Sequence, residues 1–278
     1  MKKKHMTLII VSAIVLIVAT MAVLKIFVFG FKGQKVDEVD INAYGTSTEI
    51  RGNTKGIDEC EAKEAIYICN ATIKDMPAYC TTISGSVTAL GGMYNQSVYG
   101  EKYVSGNAAV YISKSTSSLV SVGKKILIEN KETVYIRDAE SVKNDTWSTT
   151  LEEYEYDDYI ADYGIDFREL TNYVVNDQTI ISASLISTEN STYTYSIVLD
   201  EEKATLGYRV NMAKMGNLPS LPKFNSCRFE ITINENFEPI EMTCYDNYKV
   251  EKLGGLTCTS TLRIVFNTNE QMVELPNI

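Results

Sequence analysis

Cys227-Arg228-Phe229-Glu230-Ile231-Thr232-Ile233-Asn234, resumed beyond Glu235-Asn236 by Ile240-Glu241-Met242-Thr243-Cys244-Tyr245, is the stretch that decides the fold. Apolar and polar residues alternate with a period of two on both sides of a turn, the signature of a half-buried antiparallel hairpin. With Glu235 and Asn236 as the loop, Phe229 faces Met242, Ile231 faces Ile240 and Cys227 faces Cys244. Counting from the turn also makes Cys227 and Cys244 a non-hydrogen-bonded pair with close side chains. A third run, Leu256, Cys258, Ser260, Leu262, Ile264 and Phe266, continues the alternation after Gly254-Gly255. The three strands share one apolar face.

Working back from this meander, period-two runs recur at Thr82–Leu90, Met93–Val104, Ala108–Ser113, Leu119–Glu129, Thr133–Arg137, Thr179–Ser187 and Thr192–Leu199. Gly91-Gly92, Ser105-Gly106-Asn107 and Glu129-Asn130-Lys131-Glu132 punctuate them, and such short connections favour antiparallel neighbours. Helical spacing appears in three places. Asp58 and Glu61 fit a capping box before Ala62, Ala65, Ile66, Cys69, Ile73 and Met76, a stripe that ends at Pro77. Asp166 precedes Phe167, Leu170 and Val174, and Asp200 precedes Ala204, Tyr208, Met212 and Met215. The acidic, tyrosine-rich stretch from Glu152 to Asp162 lacks the ordered ligand spacing of a calcium loop and reads as a solvated face.

Upstream, Thr7 to Phe31 is apolar except for Lys25 and follows Lys2, Lys3 and Lys4. About 20 apolar residues span a bilayer core, and the basic start favours a cytoplasmic N-terminus. The expectation is an uncleaved anchor, single-pass, over residues 1–31, then a polar tether from Gly33 to Lys55 and one extracytoplasmic domain over residues 56–278. The expected fold class is α+β: an N-terminal transmembrane helix, then a mostly antiparallel, curved, half-barrel-like sheet carrying two to four helices.

Composition removes several functions. The chain has 26 basic and 36 acidic residues. Five of the basic ones (Lys2, Lys3, Lys4, Lys25 and Lys32) precede residue 33, with no acid among them, so the remainder carries 26 − 5 = 21 against 36, a net charge near −15. Such a surface repels nucleic acid and anionic headgroups. The one histidine, His5, lies ahead of the apolar run. Histidine-dependent triads and histidine-ligated zinc are thereby excluded from the exported part. No catalytic residue, metal ligand or cofactor is assigned.

Two motifs remain to be weighed. Ser121-Val122-Gly123-Lys124 has the Ser-x-x-Lys spacing but falls in an expected strand, where the odd separation sends its two side chains to opposite faces. Its usual companion motifs are absent. Asp157 and Asp158 could serve as a glycosidase pair, but nothing sets two acids across a cleft. Six cysteines in an exported domain invite disulfides, and Cys227 with Cys244 is the pair with supporting geometry. Small buried thiols are the alternative.

A leading helix, a long antiparallel meander with helical insertions and a closing hairpin pair (Phe229–Ile233, Ile240–Val250, Leu256–Phe266) resemble the LolA-like lipoprotein carriers and the LppX/LprG-type lipid-binding proteins. The layout is also similar to uncharacterised single-span surface proteins of Gram-positive anaerobes. The resemblance to the carriers implies a half-barrel whose concave face holds acyl chains under helices. It assigns Phe229, Ile231, Ile240, Met242, Leu262 and Ile264 to the lining or backing of that cavity, with Ile66, Ile73 and Met76 on a helix that is either lid or core. The function expected is a membrane-tethered, non-enzymatic module for a lipid, lipoprotein or other amphiphile. The alternative is a cell-envelope structural or protein-interaction module, and a histidine-independent hydrolase is the remote one.

Overall fold

The computed structural model describes residues 39–118, 121–163, 166–215, 218, 220–250, 255–268 and 275–276. Twelve strands form one antiparallel sheet. The first meander comprises β1 (Ala78–Ala89), β2 (Tyr94–Ser105), β3 (Ala108–Ser117), β4 (Ser121–Glu129), β5 (Thr133–Ser141), and the short β6 (Thr146–Trp147) and β7 (Glu152–Glu155), both paired with β5. The second comprises β8 (Ile180–Glu189), β9 (Thr192–Leu199), β10 (Lys223–Asn234), β11 (Pro239–Val250) and β12 (Leu256–Asn267). The two are stitched together where β1 pairs with β12, giving the order β6-β5-β4-β3-β2-β1-β12-β11-β10-β9-β8. Helices α1 (Ala62–Asp75), α2 (Tyr156–Tyr163) and α3 (Leu206–Met215) complete the fold.

This corrects the expected fold class. The described residues form mostly one twelve-stranded antiparallel sheet with three short α-helices, rather than an α+β domain. No helix among the described residues is long and apolar enough to cross a membrane, and the expected span at Thr7–Phe31 lies outside those residues. Two of the three expected helices also change. Residues 166–174 form turns and bends instead of a helix. Asp200 does cap backbone N–H groups, accepting at Oδ1 from Glu202 (3.2 Å) and Lys203 (3.0 Å), but regular helix begins only at Leu206. The acidic stretch is a solvated face, as expected: Glu152, Glu153, Glu155, Asp157, Asp158 and Asp162 are all exposed on β7 and α2, while Tyr156 and Tyr159 turn into the core.

Turn chemistry fixes the hairpins. Asn190-Ser191 is a two-residue loop and Asn130-Lys131 the start of a three-residue one, and in each pair both residues have positive φ (49°, 61° and 53°, 59°), the backbone twist that matches neighbouring strands. The loop joining β10 and β11 is longer than a Glu235-Asn236 turn. Asn234 Oδ1 accepts from the backbone N–H of Asn236 (2.9 Å) and of Glu238 (3.0 Å), and Phe237 turns the chain at φ 60°. The pairing is therefore slipped by two residues from the expected one: Phe229 faces Cys244, Ile231 faces Met242 and Cys227 faces Asp246. A slip of two preserves which face each side chain takes, so the apolar face survives while every partner changes. The irregularity lies between Thr232 and Ile233, opposite Glu241 and Pro239, and leaves Ile240 36% exposed.

The route of the chain explains the rest. After β7 and α2 at one edge, it must reach β8 at the other. About nine strand spacings of ~4.8 Å separate β5 from β8, roughly 43 Å if flat. The approximately 17 residues from Tyr163 to Ile180 can stretch to about 58 Å, enough to cross the sheet, and residues 166–179 form an irregular strap over it. Its anchors are polar. Arg168 donates from Nη1 to the carbonyls of Lys74 (2.7 Å) and Met76 (2.9 Å) at the end of α1, and from Nη2 to that of Gly106 in the β2–β3 turn. Lys74 bridges Glu49 (2.7 Å) and Glu169 (2.5 Å). Residues 39–50, read from sequence as part of a tether, pack against this layer: Thr48 N–H donates to Val175 O (2.9 Å), and Val39, Ile41 and Tyr44 sit on the cluster formed by Leu206, Val210 and Ala213 of α3 with Leu221.

The face under the strap divides into two halves. Toward β8–β11 it is filled: Ile66, Cys69 and Ile73 of α1 are fully buried in one cluster with Ile197, Phe229, Ile231 and Ile233. Toward β1–β5 and β12 the filling is incomplete. The same inward parity there runs through Gly85, Gly100 and Ser113, positions with little or no side chain. At Gly85 the reason is steric, because a Cβ would collide with the Thr261 carbonyl oxygen and lie 2.9 Å from Leu262 Cα. Strand β12 bends over β1 at this point, and only glycine permits the approach.

Candidate functional site

The unfilled half is a cavity of about 500 Å³ between the sheet and the strap, within the range of small-ligand pockets. Residues of seven neighbouring strands, β5 through β1, β12 and β11, touch it, which requires the sheet to curve around it. The trough is apolar along Ile83, Val98, Ile126, Leu262, Ile264 and Phe266. Phe167 and Leu170 of the strap cover it, and Tyr173 with Tyr208 of α3 closes the side toward the filled half. Tyr208 meets Tyr173 edge-on at 5.8 Å, and Tyr173 stacks on Phe229 at 6.1 Å, so the partition is an aromatic wall continuous with the core.

One end of the trough is polar. Thr81, Lys102 and Tyr111 stand directly opposite one another on β1, β2 and β3 and all point inward. Lys102 is 8% exposed; its Nζ lies 5.1 Å from the ring centre of Tyr79 and 5.7 Å from that of Tyr111. The one hydrogen bond of its ammonium among the described residues reaches Glu169 O at 3.4 Å. Burial lowers its pKa to about 7, against the attraction of Asp166 and Glu169, which acts to raise it. Burial also pushes the phenols of Tyr79 and Tyr111 above their usual range, so both stay protonated donors, and each hydroxyl donates to Phe167 O at 3.4 Å. At the opposite end Lys124 pairs with Asp138.

Behind the aromatic wall lies Asp246, 2% exposed, with the Tyr173 hydroxyl between its two oxygens at 2.9 and 3.0 Å. Burial raises its carboxyl to about 6, despite hydrogen bonds from Tyr173 and Cys227 that act to lower it. An unfolded aspartate titrates near 3.9. Between these values the folded chain keeps a proton that the unfolded chain has released, so stability falls as pH rises through this window and stays reduced above it. Asp246→Asn is therefore expected to stabilise the protein by on the order of 1–3 kcal/mol at pH 7.5. The gain should vanish near pH 3.5, as read by urea unfolding at both pH values.

The residues assigned from the sequence separate accordingly. Leu262 and Ile264 line the cavity. Phe229, Ile231 and Met242 are at most 1% exposed and belong to the filled half, whereas Ile240 sits at the strand irregularity and faces solvent. Ile66, Ile73 and Met76 are buried, the first two in the fully packed interior. Of the two readings left open for Cys227 and Cys244, disulfide or small buried thiol, the structure has the second: both are free, because the register sets Cys227 against Asp246 and Cys244 against Phe229. Sequence reasoning missed Ile83, Val98, Lys102, Tyr111 and Ile126. Lys102 had a signal: it shares the inward parity of Val98 and Val104, where a charged residue breaks the apolar pattern.

No family model matches the sequence, and no curated protein does. Among solved structures, the chain is similar to the crystal structure of a DUF1329 family protein from Desulfovibrio piger. The two are 8% identical with a TM-score of 0.26, over 74% of this chain and 90% of that one.

Proposed function

We propose that the protein is a non-enzymatic binding module that holds a hydrophobic or amphiphilic ligand in the trough between the sheet and the strap. The observation that carries this reading is the 500 Å³ cavity lined by Ile83, Val98, Ile126, Leu262, Ile264 and Phe266. A cavity of that size beside a buried core costs stability unless something occupies it. The layout resembles that of the lipid-binding half-barrels, and the ligand class follows the same chemistry.

The test is to express the full chain in a lipid-containing host, purify it and extract it for mass spectrometry. A stoichiometric acyl-chain or isoprenoid species supports the reading; an extract without any such species, from protein that also fails to take up added amphiphiles, contradicts it.

A second reading, an interaction module for a protein partner, has one observation of its own. Edge strand β8 exposes Ile181, Leu185 and Ile186 at 63%, 49% and 53%. Ile181 and Ile186 stand at irregularities in the β8–β9 pairing, a device that discourages indiscriminate strand addition. Ile181→Lys with Ile186→Lys would abolish partner capture under this reading and leave amphiphile binding intact.

A further inference from the structure

We propose that the ligand of this cavity carries a carboxylate head, bound by the Thr81–Lys102–Tyr111 row, so that the site selects long-chain acids over neutral amphiphiles. This rests on the ligand-binding reading and specifies its substrate class. Three donors on adjacent strands converge on the polar end of an otherwise apolar trough. Lys102 supplies the charge. An ammonium has three N–H donors, and its single long contact to Glu169 O leaves two of them without a protein acceptor among the described residues. A cation 92% removed from solvent is costly unless an anion or an acceptor set completes it.

The neighbouring acids do not supply that anion. Glu169 is held by Lys74 at 2.5 Å, and Asp166 Oδ1 accepts the backbone N–H of Arg168 at 2.9 Å. Among the described residues Lys102 forms no ion pair with either, although both line the same end of the cavity. Arg168, the cation on the strap, is turned away onto the carbonyls of Lys74, Met76 and Gly106. The faces of Tyr79 and Tyr111 flank the ammonium and stabilise a cation there without neutralising it. Lys102 is attracted by Asp166 and Glu169 but paired with neither, so its free N–H donors suit a single carboxylate, whereas a phosphate dianion would set a second negative charge beside those two acids. Thr81 provides a neutral hydroxyl for the second oxygen, Tyr111 does so by giving up its long 3.4 Å bond to Phe167 O, and Ile83, Val98, Ile126 and Ile264 continue from the head along the chain.

Titration follows from the same arrangement. The groups facing Lys102 are Tyr79 on β1, Tyr111 on β3, and Asp166, Glu169 and Arg168 on the strap, with Glu169 paired with Lys74 of α1 and Arg168 acting to lower the Lys102 pKa. A carboxylate binds the ammonium form, so its affinity weakens by up to tenfold per pH unit once the empty site begins to lose its proton. A neutral amphiphile shows no such dependence.

The experiment compares dodecanoate with 1-dodecanol on the full chain by displacement of N-phenyl-1-naphthylamine at pH 6.5 and pH 9. The expected result is at least tenfold tighter binding of the acid at pH 6.5, a gap that closes by pH 9, and loss of the preference in Lys102→Met with dodecanol binding retained. If Lys102→Met does not fold, the pH dependence of the wild-type preference decides. Equal affinity for acid and alcohol at both pH values, or a preference that persists in Lys102→Met, overturns the inference and leaves the ligand-binding reading standing. Failure of both probes to bind overturns the two together.

Discussion

Phe229→Ala is expected to lower unfolding stability by about 3–5 kcal/mol, the usual cost of deleting a fully enclosed phenyl ring. The ring is 0% exposed and stacked on Tyr173, with Ile197 of β9 and Cys244 of β11 directly opposite it on either side. Few neighbours there can collapse into the space, because α1 and the strap are pinned above it by Lys74 and Arg168. Affinity for an amphiphile should change much less than stability, since Phe229 lies on the far side of the aromatic wall from the trough. Urea unfolding and a binding titration on the same variant check both halves of this expectation. A loss below about 1 kcal/mol would mean that this half of the face is loosely filled.

The second large effect is at Gly85. Any side chain there points inward, into the Thr261 carbonyl oxygen and the Leu262 backbone, so the neighbouring strand must move. Overpacking of this kind costs about 1–3 kcal/mol, and the obstacle here is backbone rather than the end of a flexible side chain, which places Gly85→Val near the upper figure. The strand that must move carries Leu262 and Ile264, the residues opposite Gly85 and Ile83 in the trough wall. Gly85→Val should therefore weaken amphiphile binding as well as stability, the reverse of the separation expected for Phe229→Ala. Paired denaturation and binding curves for the two variants test whether the face really divides into a packed half and an open half.

The sequence made the strands legible because their alternation is a local property. Runs around Ile83, Val98, Val110, Ile126, Tyr195, Phe229, Met242 and Ile264 all became strands of one sheet. Local turn signals were legible for Asn130-Lys131, but not for the loop after Asn234. There the decisive bonds come from one side chain reaching two and four residues ahead, and they set a register two residues away from the simplest turn. The expected facing of Cys227 and Cys244 and the placement of Ile240 failed for this one reason. Residues 166–176 carry a helical pattern but remain irregular, because their partners are remote: Phe167 O accepts from Tyr79 and Tyr111, and Tyr173 binds Asp246. Tertiary bonds across about 60 to 90 residues override a weak local preference.

The cavity was half legible. Leu262 and Ile264 line it, but Phe229, Ile231 and Met242, with the same period and the same parity, are core. A void depends on what fails to fill it, and that is decided by where α1 and the strap lie on the face rather than by the strands. Lys102 was the readable clue, a charge set among inward-facing apolar positions of one strand. Its meaning depends on Thr81 and Tyr111, which only the pairing of three strands brings beside it.

The most direct test of the trough as a ligand site is a titration of the full chain with N-phenyl-1-naphthylamine, alongside Leu262→Trp, which sets an indole into the trough. The account predicts one saturable site in the wild-type protein and at least tenfold weaker binding in Leu262→Trp, with little change in melting temperature. Absence of saturable binding, or an affinity unchanged by Leu262→Trp, would contradict it.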